Sequence, residues 1–233
     1  MSAQYKLPVW DTLSTAWKNI SGAKRSFWAS LGLLFVISFG IGILKGLTED
    51  ITALSTLFAI TGNVVAYLLQ LGIIYMGITR AIDQPINYKM VFYTFNLQLM
   101  LMIIGLYILM IVLFTIPVII AGAGVILIGM NNMVTMIPGI ILVAAASIGG
   151  IALMVRISLS AAFVLDTGAS PLTAIKHSIK VTGGNFWRLV GVFLMQSLIV
   201  AICALPLFIG LIWAIPFSFI CYGTVYQRLR TNL

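Results

Sequence analysis

The chain alternates long apolar runs with short charged interruptions. Met90 to Val155 is a run of 66 residues without Asp, Glu, Lys or Arg, and Leu189 to Gln227 is a second run of 39. A helix needs roughly 20 apolar residues to cross a bilayer, so each run holds more than one crossing. Polarity does not alternate residue by residue within the runs, as a membrane barrel requires, so the segments are expected to be helices. The interruptions predict six of them, at about Phe27–Leu47, Leu54–Thr79, Phe95 past Pro117, Pro138–Val155, Phe186–Pro206 and Leu211–Gln227. Glu49-Asp50 separates the first pair, and Asn131-Asn132 with Pro138 separates the third from the fourth. The last two share one uncharged run, so their turn near Pro206–Gly210 must be tight, and four spans with a re-entrant hairpin is the alternative.

A weaker pattern precedes each odd-numbered span. Pro8-Val9, Pro85-Ile86 and Pro171-Leu172 each open a short segment that ends at Ser26-Phe27-Trp28, Thr94-Phe95 and Asn185-Phe186-Trp187 respectively. Proline suits the first turn of a helix, where its missing N–H would be unpaired. Ser, Thr or Asn caps the amides of the span that follows, and aromatic rings fit the headgroup level. Trp10, Leu13, Trp17 and Ile20 share one helical face opposite Asp11 and Lys18. Leu172, Ile175, Ile179 and Thr182 share another, opposite Lys176, His177 and Lys180. Both segments are expected to lie in the interface. The resulting expectation is an all-α integral membrane protein. Its six transmembrane helices form three helical hairpins with amphipathic interfacial helices, in one polytopic domain (1–233). The repeat units run roughly 8–80, 85–165 and 170–230, with a pseudo-threefold relation.

Composition supports the membrane reading: 61% of residues are hydrophobic and 8% charged, against about 25% charged in soluble domains. The first 26 residues carry Lys6, Asp11, Lys18, Lys24 and Arg25 without an apolar core, so no cleavable signal is expected. In the six-helix reading twelve of the thirteen Lys and Arg fall on one side, and only Lys45 on the other. The positive-inside rule then puts both termini in the cytoplasm. The net charge of +8 becomes a stripe facing anionic lipid. No basic extramembrane domain accompanies it, so no nucleic-acid partner is expected.

The stretch Arg156–Leu189 resembles a known family through Arg156, Val164-Leu165-Asp166, Ser170-Pro171-Leu172, Ala174-Ile175-Lys176, Ser178, Val181-Thr182 and Gly184-Asn185-Phe186-Trp187-Arg188. Tyr222, Tyr226, Leu229 and Arg230 add to it. These residues are similar to those of six-span prokaryotic membrane proteins of the UPF0259 and DUF975 type. That family is related to the membrane domain attached to some glycerophosphodiester phosphodiesterases. The resemblance implies a bacterial inner-membrane location and brings no catalytic residues or cofactor. The resembling residues bring no phosphodiesterase domain with them, so hydrolysis is not expected.

Candidate chemistry is sparse. The one histidine, His177, sits on the polar face of an amphipathic segment, and the acids are scattered. No His/Cys/Asp cluster has metal-ligand spacing, and no nucleophile has a base beside it. No enzyme activity, metal or cofactor is therefore expected. Cys203 and Cys221 read as free thiols in apolar runs, and Gly122 with Gly124 reads as close helix packing. Asn63, Gln70 and Gln196 are intramembrane polar groups that either bond neighbouring helices or line a polar path. Arg156, near a span's end, either snorkels or pairs with Asp166 or Asp83. Gly184 and Asn185 open a helix N-terminus flanked by Lys180 and Arg188, and Lys24 and Arg25 flank Ser26 alike. These six residues are the candidate lipid-phosphate site. Membrane lipids are the expected partners, with self-association or another membrane protein next. A lipid- or amphiphile-handling protein with a role in membrane homeostasis is the leading functional expectation. A small-solute transporter or channel, and an accessory subunit of a membrane complex, are the alternatives.

Overall fold

In the computed structural model, which describes residues 6–130, 132–205 and 207–233, no strand occurs among the described residues. The helices are α1 (Val9–Lys18), α2 (Lys24–Leu47), α3 (Thr52–Ala81), α4 (Leu97–Gly129), α5 (Met133–Ile157), α6 (Ser160–Thr167), α7 (Pro171–Gly183), α8 (Phe186–Ala204) and α9 (Leu211–Leu229). A 3-10 segment, Tyr88–Phe95, joins α3 to α4. Five stretches are long and apolar enough to cross a membrane: α2, α3, α4, α5 continued through α6, and α8. The fourth helix starts at Met133, earlier than Pro138, because the Asn132 side chain accepts the Val134 amide and caps it. Asn131 and Pro206, expected in turns, lie outside the described residues.

Buried side chains gather at one place, the base of the molecule. In α2 only Phe27 and Ser30 are buried; in α3 burial begins at Leu68 and runs to Thr79. In α4 Leu99, Ile103 and Leu106 are buried, and beyond them only Gly124. The far halves of the α2/α3 and α4/α5 hairpins therefore present apolar side chains outward, including Phe35, Phe39, Ile116 and Ile148. Lipid tails are as apolar as these side chains, so the bilayer completes what the protein leaves uncovered. Small residues set the helix crossings. A Cβ on Gly124 would lie 2.7 Å from the Gly139 carbonyl, so α4 and α5 touch there, whereas Gly122 faces open space. A Cβ on Gly77 would collide with the Phe219 carbonyl, and one on Gly223 with the Gly77 carbonyl, so α3 and α9 meet backbone to backbone.

The sixth expected span is not among the five. Tyr222, Thr224, Tyr226, Gln227 and Arg228 lower its hydropathy. α9 stays within the base from end to end. Its first turn touches the first turns of α2: the Trp28 indole donates to the Ile212 carbonyl at 3.1 Å, and the Lys24 ammonium sits 4.7 Å from the Trp213 ring. Phe219 stacks on Phe27 at 5.8 Å, and Arg228 and Arg230 end the helix at Asp11 and Asp166. A sixth span returning from the far side would start near the far end of α2 at Leu47, not near Lys24. The α8–α9 turn is tight, as expected: Gly210 leaves no room for a side chain beside the Cys203 carbonyl, and Leu207 and Phe208 adopt positive φ. Leu205, Leu207, Phe208 and Ile209, all apolar, are exposed at this tip.

The lead-in segments differ from the expected pattern in detail. α1 buries Thr12, Leu13 and Ala16, with Ile20 buried just beyond it, while Trp10 is 75% exposed and Trp17 turns its edge to Phe217. α7 buries Ala174, Ile175, Ser178, Val181 and Thr182 and leaves Leu172 and Ile179 outside. Its inward face is thus rotated towards two hydroxyls. The shared capping residue is also not realised. Ala23 precedes α2, and the Ser26 hydroxyl donates to the Ile86 carbonyl instead. Asn96 caps α4, while the Thr94 hydroxyl donates to the Leu68 carbonyl at 2.9 Å.

Candidate functional site: a cationic base and a polar cleft

The hydroxyls of α7 serve a break in the fourth long helix. α5 stops at Ile157 and α6 resumes at Ser160, which frees backbone groups in an apolar surrounding. An unpaired amide or carbonyl there costs several kcal/mol. Ser178 Oγ donates to the Arg156 carbonyl at 2.7 Å and accepts the Leu159 N–H at 3.2 Å. Thr182 Oγ1 donates to the same Arg156 carbonyl at 3.2 Å, and Tyr222 Oη donates to the Ser158 carbonyl at 2.8 Å. Three side chains from two helices thus replace the lost helical bonds.

The candidate phosphate residues are largely occupied. Asn185, 1% exposed, accepts the Leu7 N–H on Oδ1 at 2.8 Å, and Arg188 Nη1 donates to the Leu7 carbonyl at 3.1 Å. Together they clasp both backbone groups of a fully buried residue ahead of α1. Lys180 Nζ donates to the Leu233 carbonyl at 3.0 Å, and Lys24 lies over Trp213. Gly184 and Arg25 are exposed. Of the two alternatives for Arg156, snorkelling or pairing with Asp166 or Asp83, the pairing is not formed. Asp166 accepts Arg230 at 2.5 Å and Tyr226 at 2.7 Å, and Asp83 pairs with Arg80 at 3.0 Å. The Arg156 side chain is exposed instead beside the α7–α8 turn, where a Cβ on Gly183 would lie 4.0 Å from Nη1. Arg156 therefore belongs with Gly183-Gly184. Sequence separation hid this, because the turn is 27 residues further along the chain.

The three carboxylates of the base, Asp11, Asp83 and Asp166, are taken by Arg228, Arg80 and Arg230. Of the twelve Lys and Arg other than Lys45, nine have no carboxylate partner among the described residues. Trp10 and Trp187, 75% and 80% exposed, stand on α1 and α8 at this base. His177 meets the Phe163 ring edge at 5.5 Å and sits in no group of ionisable side chains. No cluster of three His, Cys, Asp or Glu is present among the described residues. Burial first, and then electrostatic interaction and a hydrogen bond with the Tyr75 phenol, raise the Tyr93 phenol above its ordinary pKa; the two rings stack at 3.9 Å.

The intramembrane amides separate into two places. Asn63, Tyr67 and Gln70 repeat at i, i+4 and i+7 on one face of α3. With Tyr107, Ile103 and Ile104 of α4 they line a half-open cleft of about 500 Å³ between the two hairpins. The Tyr67 and Tyr107 rings close its floor at 5.4 Å. Neither amide has a hydrogen-bond partner among the described residues, and both are exposed. Gln196 is elsewhere, on α8, with Oε1 buried and unpartnered. Cys203 and Cys221 are free thiols.

Five apolar helices of spanning length mark a multi-pass helical membrane protein. Comparison of the chain with protein-family models, with curated proteins and with solved structures finds no match.

Proposed function

We propose that the protein is a non-enzymatic component of the bacterial cytoplasmic (inner) membrane. It binds lipids or small amphiphiles at the cytoplasmic leaflet and serves membrane homeostasis. The observation that carries this reading is the cationic base, with nine uncompensated cations beside exposed tryptophans. Each basic side chain near an anionic lipid surface contributes about 1 kcal/mol, so nine form a strong electrostatic hold. By the same argument the base, with both termini, faces the cytoplasm. Four full spans (α2, α3, α4 and α5/α6) with α8/α9 as a re-entrant hairpin fit this orientation, because exposed Leu205, Leu207, Phe208 and Ile209 at the tip suit lipid and not water. Kinship with the six-span family, carried by the Arg156–Leu189 motif, belongs to the same proposal.

Native mass spectrometry of the purified chain tests it. Released from mixed micelles of phosphatidylglycerol and phosphatidylcholine, the wild type is expected to retain phosphatidylglycerol preferentially. A triple variant Arg25→Gln, Arg156→Gln, Lys176→Gln touches none of the clasp or ion pairs. It should lose roughly a hundredfold of that preference, at about 1 kcal/mol per residue. An unchanged preference would remove the reading.

A further inference from the structure

Four polar side chains converge between two helices of spanning length. Asn63, Tyr67 and Gln70 stand on the spanning part of α3, with Gln70 about 15 Å from Arg80 along the helix, and Tyr107 faces them from α4. The two amides and two hydroxyls have no hydrogen-bond partner among the described residues. An amide left unpaired in hydrocarbon is expensive, so the cleft is built for something that supplies donors and acceptors. No charged side chain lines it. A phosphate or carboxylate would therefore enter without a counter-ion, whereas a hydroxyl, ester or amide meets matching groups.

Size narrows the occupant. A helix about 10 Å across fills roughly 420 Å³ per 5.4 Å turn, so a cleft of about 500 Å³ has room for little more than one turn of a second chain. The same volume holds a small polar head with the first part of its tails. Asn63 also lines a second hollow between α2 and α3, with Ser38, Gly42 and Lys45, so the one cation on this polar track lies outside the cleft itself.

We propose that the α3/α4 cleft binds an uncharged, hydroxyl- or carbonyl-bearing lipid of the diacylglycerol class, its head held by Asn63 and Gln70 and flanked by Tyr67 and Tyr107. This names the amphiphile within the reading above and rests on that reading for the membrane setting. It uses a site separate from the cationic base.

The test is photolabelling of the full chain in phosphatidylcholine nanodiscs. The probes are a diacylglycerol carrying a diazirine on one acyl chain and a phosphatidic acid with the same chains. The diacylglycerol should label the peptides containing residues 63–70 and 103–107, and phosphatidic acid should label them far less. Leucine is at home on a lipid-facing helix, so Asn63→Leu/Gln70→Leu keeps the fold, as size-exclusion elution and helical circular dichroism would verify. That variant should lose about thirtyfold of the labelling, the worth of two neutral hydrogen bonds. Equal labelling by the two probes, or labelling unchanged in the variant, overturns the proposal. So does a dimer, seen by subunit crosslinking, that the variant converts to monomer, because the occupant would then be a second copy. If phosphatidylglycerol retention at the base persists while the cleft stays unlabelled, this inference fails alone; if both are absent, the functional reading fails with it.

Discussion

Ser178→Ala removes one oxygen and should cost more than most surface truncations of whole side chains. The hydroxyl stands between two backbone groups at the α5–α6 break, donating to the Arg156 carbonyl at 2.7 Å and accepting the Leu159 N–H at 3.2 Å. In the variant the Arg156 carbonyl keeps Thr182, but the Leu159 amide, in a residue with no exposure, has nothing. Orphaning a buried amide costs roughly 1–3 kcal/mol, so about 2 kcal/mol is expected, a thirtyfold change in the unfolding equilibrium. Thr182→Val alone should cost less than about 1 kcal/mol, because Ser178 still serves the carbonyl. Removing both orphans the carbonyl and the amide together, and the double variant should exceed the sum of the singles by about 1 kcal/mol. The measurement is reversible unfolding by sodium dodecyl sulfate in mixed micelles. Ser197→Ala is the control, since that exposed hydroxyl bonds only the Phe193 carbonyl of its own helix. A Ser178→Ala cost no larger than that of Ser197→Ala, or strict additivity in the double variant, would refute the account of the break.

Further outcomes follow from the packing. Gly77→Ala and Gly223→Ala drive a methyl into facing backbone and should each destabilise by about 2 kcal/mol or more in the same assay, whereas Gly122→Ala, in open space, should be neutral or stabilising by up to about 1 kcal/mol. Asn185→Ala should release Leu7, and limited proteolysis should then cut ahead of Val9 in the variant while the wild type resists. A cysteine placed at Leu207 should react with membrane-impermeant maleimide from neither side of intact vesicles, while one at Thr231 reacts from the side that carries Lys176. Reaction of the Leu207 cysteine from the side opposite to Thr231 would restore a sixth span.

Long-range order was legible in the charge-free runs. Helix class and the positions of α2, α3 and α4 follow from where Asp, Glu, Lys, Arg and Asn interrupt the apolar sequence, because lipid tolerates little else. Partner choice was not legible. Asn185 and Arg188 read as an anion site because helix N-termini favour anions, yet the acceptor and donor they meet belong to Leu7, 178 and 181 residues away. The inward face of α7 was misplaced for a related reason. Hydrophobic periodicity ranks Ile179 above Ser178, but a helix break elsewhere needed the serine. α9 looked like a span because its first half is apolar. Nothing local records that Trp213 sits above Lys24.

The helices also differ greatly in length. α4 has 33 residues and α3 has 30, which at 1.5 Å per residue is about 50 and 45 Å, while α8 has 19, or about 28 Å. A bilayer core of about 30 Å matches the last and falls well short of the first two. The long pair must tilt, thicken the lipid around it or project beyond it, whereas α8 demands none of these. The α3/α4 side of the molecule and its α8 side therefore make unequal demands on the lipid around them.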